Sequence, residues 1–241
     1  IMNILHIMSG NIDGGAARGT LWLHEGLLEC DIDSHIMTNS KKIIFDKRIK
    51  STLRSKQDYL LNALRYKLDR SFSLFYYKRE RKLFSTGFFG TDFMSTNIYK
   101  QADIIHLHWI NKGFNNIKDF SKINKPIIWT LRDMWPFTGG CHYTINCKKY
   151  IIGCGKCDQL NSEFQYDLSW YIFNRKKKYF PMKMKIVGIS KWLSTVAKES
   201  KIFRNNDIRT IPNNIDTKIF FPTKKIEAKS ILGIKTRKKI I

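Results

Sequence analysis

Two periods of apolar spacing alternate along this chain, and the switches between them mark its elements. "MNILHIM" is a short apolar run that ends in the glycine-bearing "SGNIDGGAARG". The segment "AARGTLWLHEGLLE" then places Ala17, Leu21 and Leu28 on one helical stripe, with Leu23 and Leu27 beside it. "DSHIMT" supplies a second strand. Strand, glycine loop, helix and strand make a βαβ unit, which implies a parallel, Rossmann-like sheet. Farther on, "DIIHLHW" and "KPIIWTL" predict buried strands separated by a short helix around residues 117–120. A helix in "DLSWYIFNRKKKYF", a strand in "MKIVGIS", a helix in "KWLSTVAKES" and a strand in "DIRTIPN" follow. The expectation is an α/β fold of roughly six parallel strands alternating with helices.

Two stretches interrupt this rhythm. Residues 41–99 are rich in Lys, Arg, Leu, Phe and Tyr, with helical spacing through "DYLLNALRYKLDRSFSLFYYKRERKLF" and no strong strand, so they read as a basic helical excursion. Residues 139–160 hold four of the five cysteines on a loop after "KPIIWTL". At the other end, "NNIDTKIFFPTKK" has the look of a crossover into something new, and "AKSILGIKTRKKII" reads as a helical turn feeding a strand. There is no internal repeat and no low-complexity tract.

With 43% hydrophobic residues in 241, the chain has material for a sizeable core and is not a disordered polymer. The odd cysteine count argues against a secreted disulfide framework and for a reducing compartment. "IMNILHIMSG" carries no basic leader, and no apolar stretch approaches the ~20 residues of a membrane span. The first residue is Ile1 and not Met, so a fragment or an unusual start is expected.

Charge changes the picture most. Lys+Arg 43 against Asp+Glu 20 gives a formal net charge of +23, so the protein should seek anions. The basic residues gather in "YYKRERK", "NRKKKYFPMKMK" and "KTRKK", interleaved with aromatic and apolar side chains. That mixture suits an anionic membrane surface, with solvated helix faces as the plain alternative. No nucleic-acid partner is expected, because no helix-turn-helix, zinc-finger or RNA-binding signature accompanies the charge.

Candidate chemistry lies where the strands end. Gly14 and Gly15 sit between a strand and a helix N-terminus, where bare backbone N–H groups favour a phosphate or carboxylate, and Arg18 stands one turn into that helix. A plain tight turn explains the double glycine equally well. His106 and His108 are two apart on a strand and share a face near its carboxyl end, where open α/β sheets place ligands; buried packing is the alternative. "TLRDMW" sets Arg132 and Asp133 at the same sheet edge, so that all would line one cleft.

Cys141, Cys147, Cys154 and Cys157 form C-x5-C-x6-C-x2-C, with His142 as a substitute ligand. The closing "CGKC" is a knuckle of the kind that holds two corners of a zinc site. Structural zinc, disulfides or reduced thiols, and an iron–sulfur cluster all stay open, whereas a thioredoxin-type redox site lacks its helix-start context. In each version the stretch is a structural clasp with no catalytic thiol.

"GGAARGTLWLHEGL", "DIIHLHWINKGF", "KPIIWTLRDMWPFTGGCHY", "CGKCDQL", "GISKWLSTVAKES" and "IPNNIDTKIFFP" together resemble the N-terminal half of a family 4 glycosyltransferase, of the subgroup that builds bacterial surface polysaccharides such as colanic acid, capsule and O-antigen. The matches run in order from about residue 2 to 222. The resemblance implies a GT-B fold of two Rossmann-like domains facing across a cleft. Residues 1–222 would be the acceptor-side domain, and 223–241 a linker and the start of a donor domain that is otherwise missing. It also implies retaining transfer from a nucleotide-sugar donor to a polyprenyl-diphosphate-linked glycan acceptor, with no catalytic metal.

By the same resemblance, Gly14 and Gly15 approach the donor phosphates and His108 lies near the transferred sugar as the catalytic candidate. Arg132 stands where many relatives carry the histidine of "TLHD", and Asn214 replaces the glycine of "PNG". The chain would act on the cytoplasmic face of the plasma membrane, peripherally bound, and as a truncated piece would transfer little or no sugar. The alternative reading is a non-catalytic membrane- or glycan-binding protein derived from the same half-fold.

Overall fold

The computed structural model describes residues 2–10, 13–40, 46–236 and 238. Its elements in chain order are β1 (Asn3–Met8), α1 (Gly15–Glu29), β2 (Asp33–Thr38), β3 (Ile49–Ser51), α2 (Lys56–Leu74), α3 (Asn97–Gln101), β4 (Ile104–Leu107), β5 (Ile127–Leu131), α4 (Leu168–Tyr179), β6 (Lys185–Gly188), α5 (Lys191–Glu199), β7 (Asp207–Thr210) and α6 (Lys225–Ile231). Short 3-10 turns occupy Ile117–Lys122, Trp135–Phe137, Lys149–Ile151 and Asp158–Leu160. All seven strands pair in parallel in one sheet, in the order β3-β2-β1-β4-β5-β6-β7. The chain winds outward in both directions from the β1/β4 pair. The crevice beyond the carboxyl ends of those two strands is therefore the switch point where this topology receives ligands.

The two faces of the sheet differ in chemistry. Leu5, Ile7, Ile105, Leu107, Trp129 and Leu131 face a large apolar core, in which Trp129 packs against Phe120, Phe180 and Phe203. Such continuous apolar burial is what holds a parallel strand between two helical layers. On the opposite face, under α1, the apolar cluster contains only Met8, Ala17, Ile36 and Ile49, with Leu21 beside it. His6, His24, His106 and His108 are buried as well, and His6 and His24 lie edge to face under that helix. The sequence expectation of a leucine stripe on α1 is corrected accordingly. Its fully buried residues are Ala17, Gly19, Thr20 and His24, while Leu23, Leu27 and Leu28 are only half-buried. Small residues bring the helix close to a sheet whose face is already filled by imidazoles.

Two other expectations need correction, and a third is untested. The sheet has seven strands, not six, because Ile49–Ser51 pairs with β2 inside the stretch read as purely helical. The helix of that stretch ends at Leu74, so the basic run from Tyr76 to Lys82 is turn and loop. The strand expected near the C-terminus lies outside the described residues, after α6, none of whose side chains is buried.

Helix α2 is amphipathic in the reverse sense from a core helix. Its body-facing side makes polar contacts: Asn62 Oδ1 accepts from Asn39 Nδ2 at 3.1 Å, and Arg65 donates to Thr91 Oγ1 at 3.0 Å. Asp69 accepts from the Thr86 N–H at 3.1 Å, the Thr86 hydroxyl at 2.5 Å and the Phe88 N–H at 3.0 Å. Leu60, Leu61, Leu64, Leu68, Phe72 and Phe75 are left on the exposed side. The helix is well begun, with a Ser55–Asp58 capping box.

Candidate functional site

β1 and β4 carry their histidines into register, His6 opposite His106, and the pleat sets His108 on the same face two residues later. The rings of His106 and His108 stack with centroids 4.4 Å apart, and His6 Nδ1 lies 2.9 Å from His108 Nε2. Thr130 on β5 hydrogen-bonds His106 Nε2 at 2.8 Å. Arg132, just past the end of β5, approaches His108 Nδ1 with NH2 at 3.1 Å. A guanidinium only donates, so His108 Nδ1 is the acceptor and its Nε2 carries the hydrogen given to His6. His6 then holds its own hydrogen on Nε2, which is buried and meets no hydrogen-bond partner among the described residues.

Burial, followed by the positive neighbours, pushes His6 and His108 well below the ordinary histidine range, and His106 down to about 3. These are neutral imidazoles at any physiological pH. His108 is 2% exposed and both of its ring nitrogens are engaged, so it stands behind Arg132 and does not open onto the crevice.

Arg132 is the group that faces the crevice. Besides His108 it donates to Asn213 Oδ1, on the segment after β7 that returns over α1. Asn214 fastens the same segment by donating to the Trp22 carbonyl at 2.8 Å. Arg132 Nε–H is buried and meets no partner among the described residues. Desolvation lowers the guanidinium to about 10, which still leaves it fully charged at neutral pH.

The glycine loop has a different emphasis from the one the sequence suggested. Gly14 is the N-cap of α1 in an extended conformation and, being glycine, offers no side-chain cap, and a Cβ on Gly15 would meet nothing within 4 Å. A helix N-terminus of this kind, with no side chain on its cap residue, is where α/β sheets receive anions. Gly19, one turn farther on, brings α1 close to the arginine: a Cβ there would come within 2.5 Å of Arg132 NH1 and 2.9 Å of Asn213 Oδ1. Arg18 lies exposed on the other side of that turn.

Asp133 does not share the cleft with Arg132, contrary to expectation, because successive residues leaving a strand point to opposite faces. It accepts from Trp109 Nε1 at 2.8 Å and from the Trp135 N–H at 2.9 Å. His142 Nδ1 lies 2.6 Å from its carboxylate, and His142 Nε2 lies 2.9 Å from Ser85 Oγ. Ser85 is at the wall of a cavity of ≈ 690 Å³ whose lining includes Tyr66, Arg70, Arg79, Arg81, Lys82 and Lys112. Lys112 reaches back over the Trp109 ring at the end of β4. The basic cavity and the Arg132 crevice therefore flank the same strand end. The Ser85–His142–Asp133 chain fixes the wall between the two.

Beside that wall lies the cysteine loop. Cys154 and Cys157 are buried, Cys141 and Cys147 half-buried, and all are free thiols. Cys141 hydrogen-bonds Cys157 and lies within electrostatic reach of Cys154 and Cys147. Burial pushes the Cys154 thiol up to about 12. Among the described residues, only His6, His106 and His108 bring potential metal-ligand atoms all within 4.8 Å of one another, so the four sulfurs are more open than a closed tetrahedral set.

Sequence reasoning missed His6, Gly19, Ser85 and Lys176. His6 offered one signal, a histidine in the middle of an apolar strand. Lys176 was counted in a basic surface run, yet it is 0% exposed, donates to the carbonyls of Trp135 and Thr138, and lies 3.7 Å from the Trp135 ring centroid.

No family model matches the chain. Over 176 residues, 67% of this chain, it is 29% identical to the putative colanic acid biosynthesis glycosyl transferase WcaC of Escherichia coli K12. It covers 40% of that relative's length. A crystal structure of a glycosyltransferase from Rickettsia africae ESF-5 aligns with 98% of this chain and 50% of its own, at 16% identity and a TM-score of 0.45.

Proposed function

We propose that this chain is the acceptor-side part of a glycosyltransferase of bacterial surface-polysaccharide synthesis, moving a sugar from a nucleotide-sugar to a polyprenyl-diphosphate-linked glycan with retention. One observation carries the reading. The likeness to the colanic acid glycosyl transferase spans 67% of a chain in which a desolvated arginine at the end of β5 lies against α1, the helix that follows β1 with glycine as its N-cap. In this reading residues 1–222 form the acceptor-side domain and 223–241 lead toward a donor-binding domain.

The chemistry assigned to these residues is positioning and charge neutralisation. The donor's glycosidic C–O bond breaks toward its diphosphate, and the acceptor hydroxyl forms the new C–O bond on the same face of the sugar. The hydroxyl proton passes to a departing phosphate oxygen. Negative charge grows on the diphosphate during this step. Arg132, held by His108 and Asn213, and the backbone amides at Gly15 and beyond are the groups that meet it. His108 acts through Arg132, as a positioning residue. No catalytic metal enters the step. The Arg70, Arg79, Arg81 and Lys82 cavity takes the anionic acceptor on the far side of the Ser85 wall.

Assay of the full-length protein with a panel of nucleotide-diphosphate sugars and lipid-linked acceptors tests this. Acceptor-dependent release of nucleoside diphosphate is the expected result. Glycan or lipid binding with no nucleotide-sugar turnover would replace this reading with the non-catalytic one.

The acceptor's lipid implies work at the cytoplasmic leaflet. Among the described residues no helix is long and apolar enough to cross a membrane. The outward leucines and phenylalanines of α2, bordered by exposed Lys56, Lys67, Arg70 and Lys78, supply the apolar and cationic components of peripheral attachment. The double variant Leu64→Glu/Leu68→Glu is expected to abolish sedimentation with anionic vesicles and leave the thermal unfolding midpoint unchanged, since both side chains are exposed. Undiminished vesicle binding by that variant would remove α2 from the membrane surface.

A further inference from the structure

We propose that Ser85, His142 and Asp133 act as nucleophile, base and orienting group in cleaving a carboxylic ester borne by an anionic molecule, with Ser85 the residue acylated. The proton positions along this chain of groups carry the inference. The Asp133 carboxylate only accepts, and it takes the Trp109 Nε1–H at 2.8 Å and the Trp135 N–H at 2.9 Å. Its contact of 2.6 Å with His142 Nδ1 therefore has the hydrogen on the imidazole. His142 Nε2 is left as the acceptor, and the group 2.9 Å from it is the Ser85 hydroxyl. Serine thus donates to an imidazole whose tautomer a buried carboxylate sets, the arrangement that turns a hydroxyl into a nucleophile on several unrelated folds.

Three separate segments are brought together to build it. Asp133 follows β5, while Phe84 and Cys141 pair in an isolated antiparallel bridge that sets Ser85 and His142 on adjoining stretches of chain. Gly140 permits that approach, since its φ is +127° and a Cβ there would collide with the Phe84 ring. The Ser85 N–H donates to the Gly140 carbonyl at 3.0 Å, its carbonyl accepts from Trp135 Nε1 at 2.8 Å, and the His142 carbonyl accepts from the Met134 N–H at 2.9 Å. These bonds tie the wall without the serine side chain, so its hydroxyl is available for chemistry.

Access and charge define the substrate. Ser85 lines the cavity of ≈ 690 Å³, whereas His142 is buried behind it. The lining holds Arg70, Arg79, Arg81, Lys82 and Lys112. Among the described residues only Lys82 of these is ion-paired, to Glu80 at 2.6 Å. Asp69, the one carboxylate in that lining, is occupied by the Thr86 hydroxyl and the N–H groups of Thr86 and Phe88. The cavity therefore draws in an anion and offers cations to an oxyanion forming beside Ser85.

In the first step Ser85 Oγ bonds to the ester's acyl carbon as its proton passes to His142 Nε2. The bond from that carbon to the alcohol oxygen then breaks, and the alcohol leaves with the proton from Nε2. Water next attacks the acyl-serine, giving a proton to Nε2. The carboxylic acid departs as that proton returns to Ser85 Oγ, so ester and water become acid and alcohol with the protein unchanged.

The test uses the full-length protein with no nucleotide-sugar present, so its result is independent of sugar transfer. A fluorophosphonate should label Ser85 in the folded protein and not after denaturation, as read by peptide mass mapping. Hydrolysis of 4-nitrophenyl hemisuccinate should exceed that of the neutral 4-nitrophenyl acetate in kcat/KM, and Arg81→Ala should narrow the gap. Ser85→Ala and His142→Gln should each lower hydrolysis at least about 10²-fold. Ser85→Cys keeps a nucleophile of similar size and should trap one acyl group as a thioester, whatever the stability of the alanine variant. Folded parent protein left unlabelled at Ser85, label on another residue, or equal turnover by Ser85→Ala and parent would each overturn the proposal and leave the three groups as a brace for the wall.

Discussion

Replacing Arg132 with alanine in the full-length protein is expected to lower sugar transfer by about 10²–10³-fold, the usual loss when one fixed donor to a developing oxyanion is removed. The expectation rests on position. The Arg132 guanidinium is fixed by His108 and Asn213 beside the β1/β4 switch point, and its Nε–H meets no partner among the described residues. The fall should appear in kcat as well as in kcat/KM for the nucleotide-sugar, because the charge being met grows on the leaving diphosphate during the step.

Gly19→Ala separates this role from folding. Its Cβ would press on Arg132 NH1 and Asn213 Oδ1, both ends of side chains that can move, while alanine in a helix interior favours folding by about 1 kcal/mol. Unchanged or raised stability with impaired transfer is the predicted pair. If Arg132→Ala transfers sugar as the parent does, the diphosphate is met elsewhere and the crevice assignment fails.

How far the sequence led can be argued from particular residues. β1, β4 and β5 were legible because the runs of a strand covered on both faces are mainly apolar, and the few buried polar residues in them, His6, His106 and Thr130, do not break the pattern. β3 was not, since "IKS" is three residues long and half polar, and only the neighbouring edge of β2 makes it a strand. The spacing of α2 announced an apolar stripe but not which way it faces. Its orientation is decided by Asn39, Thr86 and Thr91, which take its polar side from distant points in the chain.

The site shows the same division. His106 and His108 were found because strand spacing puts them together locally. His6 joins them across about a hundred residues through β1–β4 pairing, which no local pattern displays. Arg132 and Asp133 were both found, and their separation onto opposite faces follows from the pleat alone. That Arg132 reaches the crevice while Asp133 binds Trp109 and His142 needed the folded chain.

The histidine cluster makes a second large effect predictable, on stability against pH. His6, His106 and His108 have folded-state pKa values lowered by burial, His106 to about 3 and the others well below the ordinary 6.5. Above pH 6.5 the imidazoles are neutral both folded and unfolded, and they contribute no pH dependence. Below it the unfolded chain takes up protons that the folded one refuses, so the stability present above pH 6.5 is lost as pH falls toward the folded values. At pH 5.5 each such group costs on the order of 1 kcal/mol, and the three together a few. That is a large share of a typical total of about 5–15 kcal/mol.

Urea unfolding at pH 7.5 and 5.5 should show this loss well above the range where carboxylates titrate. His6→Gln identifies its source: the amide oxygen can still accept from His108 Nε2, yet the side chain does not titrate, so the drop should shrink by on the order of 1 kcal/mol. A stability that is flat between the two pH values, or a drop untouched by His6→Gln, would mean that the cluster is already hydrated and open to protons in the folded state.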